Sequence, residues 1–130
     1  MTDFSNALSV AASGMRAQAQ RLTHVSENIA NADTPGYHRK ITSFEVERAM
    51  GAPDGAVRPG PVRLDQTTLP MIFDPSHPMA DEAGTYEGSN VDLVIELADA
   101  REAQRSYEAN LRIFDQIRQM SSSLNELLRR

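Results

Sequence analysis

The chain has no cysteine and no tryptophan. Without cysteine it can form neither a disulfide nor a thiolate metal site, and it is compatible with any redox compartment. Aromatic residues are 5% of the 130 residues, which argues against a large aromatic core. Hydrophobic residues, at 40%, lie near the low side for a compact globule. Positive charge is in deficit: 13 lysines and arginines stand against 18 acids, a net −5. That balance argues against nucleic acid as a partner and against electrostatic docking on an anionic membrane surface. No apolar run approaches the roughly 20 residues that a membrane span requires. The first residues also lack the basic region and apolar run of a secretory signal. The expectation is a chain that stays in the cytoplasm or leaves it without a cleaved signal. Its length suits one domain, or one domain with an elongated extension.

What is present divides into three segments: 1–37, 38–88 and 89–130. Residues 4–31 contain no proline and a single glycine, Gly14. Leu8, Met15, Leu22 and Ile29 recur at every seventh position. Phe4, Ala11 and Val25 fill the companion position, with Gln18 as its polar break. This is a heptad pattern over four repeats, on a helix of roughly 40 Å. The stripe is narrow, and Ala7, Ala12 and Ala19 flank it, so a second backbone can come close. A coiled coil or bundle is therefore favoured over a helix laid on its own domain's core. Isolated amphipathic helices take most of their stability from packing, so the terminal helices are expected to be largely disordered before assembly.

Residues 38–88 hold six of the seven prolines and five of the seven glycines, a density that excludes long helices. Short β-branched or alternating runs at Ile41–Val46, Val57–Leu64 and Leu69–Phe73 predict strands in one or two hairpins. Pro59 and Pro61 would confine their strand to an edge. Pro53-Asp54-Gly55 predicts a turn, with Gly55 at positive φ.

Residues 90–128 read as a second helix without glycine or proline. Asn90 is the expected N-cap, Ser89 with Asp92 resembles a capping box, and Asp92 and Glu96 suit the positive end of the dipole. Leu93, Leu97, Ala100, Tyr107, Leu111, Phe114, Ile117, Leu124 and Leu128 form one stripe. Glu108–Arg112 and Glu126–Arg130 are i,i+4 pairs. The expected fold class is mainly α: two long terminal helices paired as a coiled coil or bundle, with a small, irregular, β-rich middle. The expected pairing sets Leu8, Met15, Leu22 and Ile29 against Leu97, Tyr107, Leu111 and Phe114. Phe4, Val25, Ile117 and Leu124 complete the packing and assembly face.

Signs of catalysis are weak. Of His24, His38 and His77, His24 has only Glu27 and Asn28 at a spacing of three or four on its helix, and a zinc site needs more than that. Asp74-Pro75-Ser76-His77-Pro78-Met79-Ala80-Asp81-Glu82 gathers acids, a hydroxyl and an imidazole, but matches no calcium or zinc loop. Its prolines and its Asp74 and Ser76 side chains suit an extended loop that satisfies its own backbone. Gly51, Gly55 and Gly60 form no phosphate loop, no serine sits in a nucleophile elbow, and Arg39-Lys40 is too short a basic run for nucleic acid. The expectation is no enzyme, no catalytic residue, no metal and no cofactor.

The polar run Asn28-Ile29-Ala30-Asn31-Ala32-Asp33-Thr34-Pro35-Gly36-Tyr37 closes the first helix. Asn28 and Asn31 have amides able to bond the carbonyls left free at a helix end, and Thr34, Pro35, Gly36 and Tyr37 make a turn. This run resembles the N-terminal signature of the axial proteins of bacterial flagella. Phe73 to Gly84, Gly88-Ser89-Asn90-Val91-Asp92, Ala103 to Asn110 and Ala12 to Gln18 look like the proximal-rod branch of that family. Residues 47–66 show no clear match. The resemblance implies a structural subunit of the basal-body rod, the drive shaft that transmits torque. It implies export through the flagellar type III apparatus and assembly in the periplasm through the terminal helices. The implied partners are copies of itself and other rod subunits of the FlgB, FlgF, FliE and FlgG types. Alternatives are a rod subunit of the FlgB type and a cytoplasmic helical adaptor or export chaperone.

Overall fold

The computed structural model describes residues 2–130. Helix α1 runs over Thr2–Ala30 and helix α2 over Leu93–Leu128. At about 1.5 Å per residue they span roughly 44 and 54 Å. Between them lie six short strands: β1 (Lys40–Ile41), β2 (Phe44–Val46), β3 (Val57–Pro59), β4 (Arg63–Leu64), β5 (Met71–Phe73) and β6 (Thr85–Glu87). The fold is mainly α, with two long terminal helices and a small β-rich middle, as the heptads and the proline distribution predict.

The helices pack antiparallel along their length. Asn28 meets Glu96, Arg21 meets Asp99 and Glu102, and Gly14 meets Asn110. The Asn28–Glu96 and Gly14–Asn110 contacts are fourteen residues apart on either helix, so the helices keep step. Small residues make this close approach possible. The buried positions of α1 are Ala11, Ser13, Ala17, Val25 and Asn28, and those of α2 are Glu96 and Ala103. A β-carbon on Gly14 would lie 2.8 Å from the Asn110 amide nitrogen, so bulk here would force the helices apart.

This seam is turned from the hydrophobic stripe that α2 carries. It follows Glu96, Ala103 and Asn110 at sevenfold spacing, with Ala100, Tyr107, Phe114 and Ile117 half-buried beside them. Leu97 is 54% exposed and Leu111 41% exposed. Gly14 and Ala103 allow the close approach on this line, its polar members Glu96 and Asn110 meet Asn28 and Gly14 across it, and Leu97 and Leu111 are left beside it.

In the middle segment the strands nest. β1 pairs with β4 (Lys40 with Leu64), and β2 with β3 (Phe44 with Pro59, Val46 with Val57), all antiparallel. The Gly60 N–H donating to the Ser43 carbonyl at 2.7 Å links the two pairs into one interrupted hairpin. The predicted runs Ile41–Val46 and Val57–Leu64 are each split, because Pro59 and Pro61 lack the N–H groups a continuous ladder needs. Gly55 takes φ +88° in the tip turn, where the Ala56 N–H reaches the Pro53 carbonyl at 3.2 Å. The Ser13 hydroxyl fastens this hairpin to α1: it accepts from the Val57 N–H at 3.0 Å and donates to the Val10 carbonyl at 2.7 Å. β5 pairs antiparallel with β6, a strand the sequence reading did not place.

The start of α2 also differs from expectation. Asp92, not Asn90, is the N-cap, and its carboxylate accepts from the Val94 N–H at 3.0 Å. Ser89 forms no capping box; its hydroxyl donates to the Ala32 carbonyl across the join. Asn90 is drawn away by the loops, accepting from the Arg39 N–H at 2.6 Å and donating to the Asp65 and Thr67 carbonyls at 2.9 and 3.2 Å. Glu96, placed by the sequence at the positive end of the dipole, is wholly buried there. Glu108 pairs with Gln104 at 3.4 Å rather than with Arg112.

Candidate assembly site

The polar run after α1 folds into a compact join between the helices. The Asn31 amide donates to the Glu27 carbonyl at 2.8 Å and caps the last turn, as its position predicts. Thr34 donates to the Asn31 side chain at 3.1 Å. Gly36 has φ +72°, a left-handed conformation open to glycine. Its N–H reaches the Glu87 and Gly88 carbonyls at 3.1 and 3.2 Å.

Asn28 does something else than cap its helix. It is 1% exposed, and its four hydrogen-bonding positions are filled. Its amide donates to the Lys40 carbonyl at 3.0 Å and to Glu96 Oε2 at 3.2 Å. Its oxygen accepts from the Tyr37 hydroxyl at 2.9 Å and the Lys40 N–H at 2.8 Å. The departing chain thus folds back and binds the side chain that precedes it.

Glu96, with no exposed surface, is the acidic centre of this join. Arg39 Nε donates to Glu96 Oε1, and Arg39 Nη2 donates to Asp99 at 3.0 Å. Arg39 also lies 3.9 Å from the Asp65 carboxylate. Burial works against the guanidinium's charge, but the bond to Glu96 and the neighbouring carboxylates outweigh it and raise its pKa further. Arg21 reaches Asp99 at 3.2 Å and Glu102 at 3.4 Å. Lys40 binds Glu27, holding the carboxyl below and the ammonium above their ordinary values. Glu96 and Asn28 are the largest fully buried side chains in the described structure. The sequence marks Asn28 for a polar role, but gives Glu96 only a place at the dipole, Arg39 only a place in a short basic pair, and Asp99 none. The available signal was an acid set inside the apolar run Leu93-Val94-Ile95-Glu96-Leu97.

Among the histidines, His24 sits near Glu27 at 3.4 Å, and its Nε2 is buried without a hydrogen-bond partner among the described residues. His38 faces the Asp65 carbonyl at 2.8 Å. His77 stacks on Tyr86, with ring centroids 3.9 Å apart. The Asp74–Glu82 loop spends its polar groups on itself. Asp74 takes the Ser76 N–H and hydroxyl, and Asp81 takes the N–H groups of Ala83 and Thr85. The Ser76 hydroxyl at Asp74 and the Thr85 N–H at Asp81 hold these carboxyls below the usual range. No group of residues that could hold a metal ion occurs among the described residues, and no described helix is long and apolar enough to cross a membrane.

Of the heptad residues of α1, Val25 is buried, and Phe4, Leu8, Met15, Leu22 and Ile29 are half-buried. On α2, Tyr107, Phe114 and Ile117 are half-buried, while Leu97, Leu111 and Leu124 are exposed. Among the exposed apolar residues, two groups stand toward the two ends of α2. One is the start of α2, with Leu93, Val94 (76% exposed) and, one turn on, Leu97. The other is an open groove of about 560 Å³ at the far end, where Phe4 meets Met120, Leu124 and Leu127.

The comparisons fit this geometry. A family described as flagella basal body rod protein matches residues 8–38, which cover most of α1 and the join. One described as flagellar basal body rod FlgEFG protein C-terminal matches residues 82–127, essentially α2 and its approach. The flagellar basal-body rod protein FlgC of Agrobacterium fabrum is 40% identical over an alignment covering 99% of this chain and 98% of the relative. The FlgC proteins of Aquifex aeolicus and Escherichia coli O6:H1 are 38% and 34% identical, each over 88% of this chain and 89% and 90% of their own lengths. These relatives settle the matter against a cytoplasmic adaptor. The chain belongs to the FlgC family of flagellar basal-body rod proteins and is a structural subunit of that rod.

Proposed function

We propose that the subunit enters the rod through the two apolar faces its own helix pair leaves open, and that the buried join holds those faces in fixed relation. The observation that carries this reading is the exposure of Leu93, Val94 and Leu97 on a helix already paired along another line. Adjacent exposed leucine and valine side chains on a helix whose partner is elsewhere fit a surface that meets another molecule. Segments 1–37 and 89–130 act as the shaft element, and 38–88 as the variable arm. The neighbours are copies of this chain and rod subunits of the FlgB, FlgF, FliE and FlgG types. The assembled tube sits in the periplasm and transmits torque, and the chain arrives through the flagellar type III apparatus without a cleaved signal. Packed helices suit torque because close-packed interiors resist deformation better than loops. The reading assigns no catalytic step to any residue.

Leu97→Asp tests it. Leu97 is exposed in the single chain, so the substitution changes the chain's own stability by only about 0.5 kcal/mol. Buried against a neighbour, an unpaired carboxylate is far more costly. The expected result is a normally produced chain with loss of rod assembly and swimming. Swimming at the parent's speed would overturn the reading.

A further inference from the structure

We infer that the buried Asn28–Arg39–Glu96 knot is the register key of the helix pair: it selects one alignment from those that the heptads permit.

The apolar pattern alone leaves the alignment open. Leu8, Met15, Leu22 and Ile29 repeat every seven residues on α1; Ala100, Tyr107 and Phe114, and Ala103, Asn110 and Ile117, do so on α2. Sliding α2 by seven residues therefore sets like against like. One direction is blocked by shape. It would bring Ile117 to Gly14, where even a β-carbon is already 2.8 Å from the Asn110 amide. The other direction brings Ala103 to Gly14, and shape permits it.

The knot opposes that second slip. Asn28 and the Lys40 backbone are joined by two hydrogen bonds, so Arg39 moves with α1. Glu96 moves with α2, and its two oxygens take Asn28 and Arg39 separately. After the slip Glu96 would lie beside Arg21 and Asp92 would come to the place of Asp99, but Ser89 would stand where Glu96 was, so Asn28 would lose a bond in a site 1% exposed and Arg39 would lose its buried carboxylate. Replacing a buried ion pair as a whole by apolar residues is often neutral in stability, and a single buried polar residue can fix the register of paired helices.

The chain has no cysteine, so paired cysteines report register cleanly. Gly14→Cys with Asn110→Cys reports the observed alignment, and Gly14→Cys with Ala103→Cys the slipped one. Each pair is placed in the parent chain and in a chain carrying Asn28→Leu, Arg39→Met and Glu96→Leu, then oxidised at low concentration. The parent should close 14–110 and leave 14–103 open. The knotless chain should keep its helix content while 14–103 closure rises at least about tenfold. Three results overturn the inference. One is a parent that fails to close 14–110. Another is a helical knotless chain that closes only 14–110, which would mean that the loop bonds of Gly36 and Ser89 hold the register. The third is loss of helix in the knotless chain and also in Asn28→Leu alone, which would make the knot a source of stability instead.

Discussion

Replacing Arg39 with methionine isolates the electrostatic part of the join. Methionine keeps most of the stem's volume, so the change chiefly removes the guanidinium. Glu96, with no exposed surface, would keep only the Asn28 amide as a donor. Leaving one partner of a buried pair uncompensated costs about 3–5 kcal/mol. The bond to Asp99 adds little, because that carboxylate is 30% exposed and screened by water. The expected loss is thus about 3–5 kcal/mol, or roughly 10–20 °C in Tm for a chain of this size. Urea unfolding followed by far-ultraviolet circular dichroism measures it. Arg39→Met with Glu96→Leu is the control: with charge and counter-charge both gone, stability should return to within about 1.5 kcal/mol of the parent. A single substitution costing less than about 1 kcal/mol would show that the pair behaves as a surface ion pair, and the reasoning would fail.

Gly14→Ile drives a branched side chain into Asn110 and should destabilise by about 1–3 kcal/mol; unchanged stability in the same urea assay would deny the close helix approach. The carboxyls of Glu27, Asp65, Asp74 and Asp81 are all held below their ordinary values in the folded chain. Their contribution is present above the ordinary carboxylate range and is lost as pH falls through their folded values, so the urea midpoint should drop below about pH 4. Lys40 is raised, so its contribution disappears only at alkaline pH, above about 10.5. A midpoint that rose between pH 5 and pH 3 would contradict this. Amide exchange should be slowest where α1 and α2 meet at the join, around residues 25–28 and 96–103, and fast over residues 124–128, whose leucines stand exposed; uniform protection along α2 would contradict the packing described.

Much of this architecture is legible in the sequence, for reasons that differ by element. Proline and glycine punctuate the middle so densely that helix is excluded there, and the heptads of residues 4–31 admit little else. The chain-closing run Asn28 to Tyr37 reads as a helix end because its residues satisfy backbone groups. The face of α2 was less legible. Hydrophobicity marks Leu93, Leu97 and Leu111, but the intrachain seam needs close approach and so runs through Glu96, Ala103 and Asn110. A stripe of leucines signals burial without saying in which molecule. The N-cap is ambiguous in sequence because Asn90 and Asp92 both suit the role locally, and only the distant Arg39, Asp65 and Thr67 backbone decides which is free. Strand β6 went unplaced because three residues, Thr85 to Glu87, gain their conformation from Met71–Phe73 across a loop. Arg39 and Glu96 are far apart in sequence, and neither alone announces the pair.

The most direct test of the central claim is quantitative mass spectrometry of purified, detergent-extracted hook–basal bodies from the source organism. The account predicts this chain as an integral component, at a fixed stoichiometry to other rod subunits, retained through washes that strip loosely bound protein. Its absence from those particles, with the chain abundant in the soluble fraction of the same motile cells, would contradict the account.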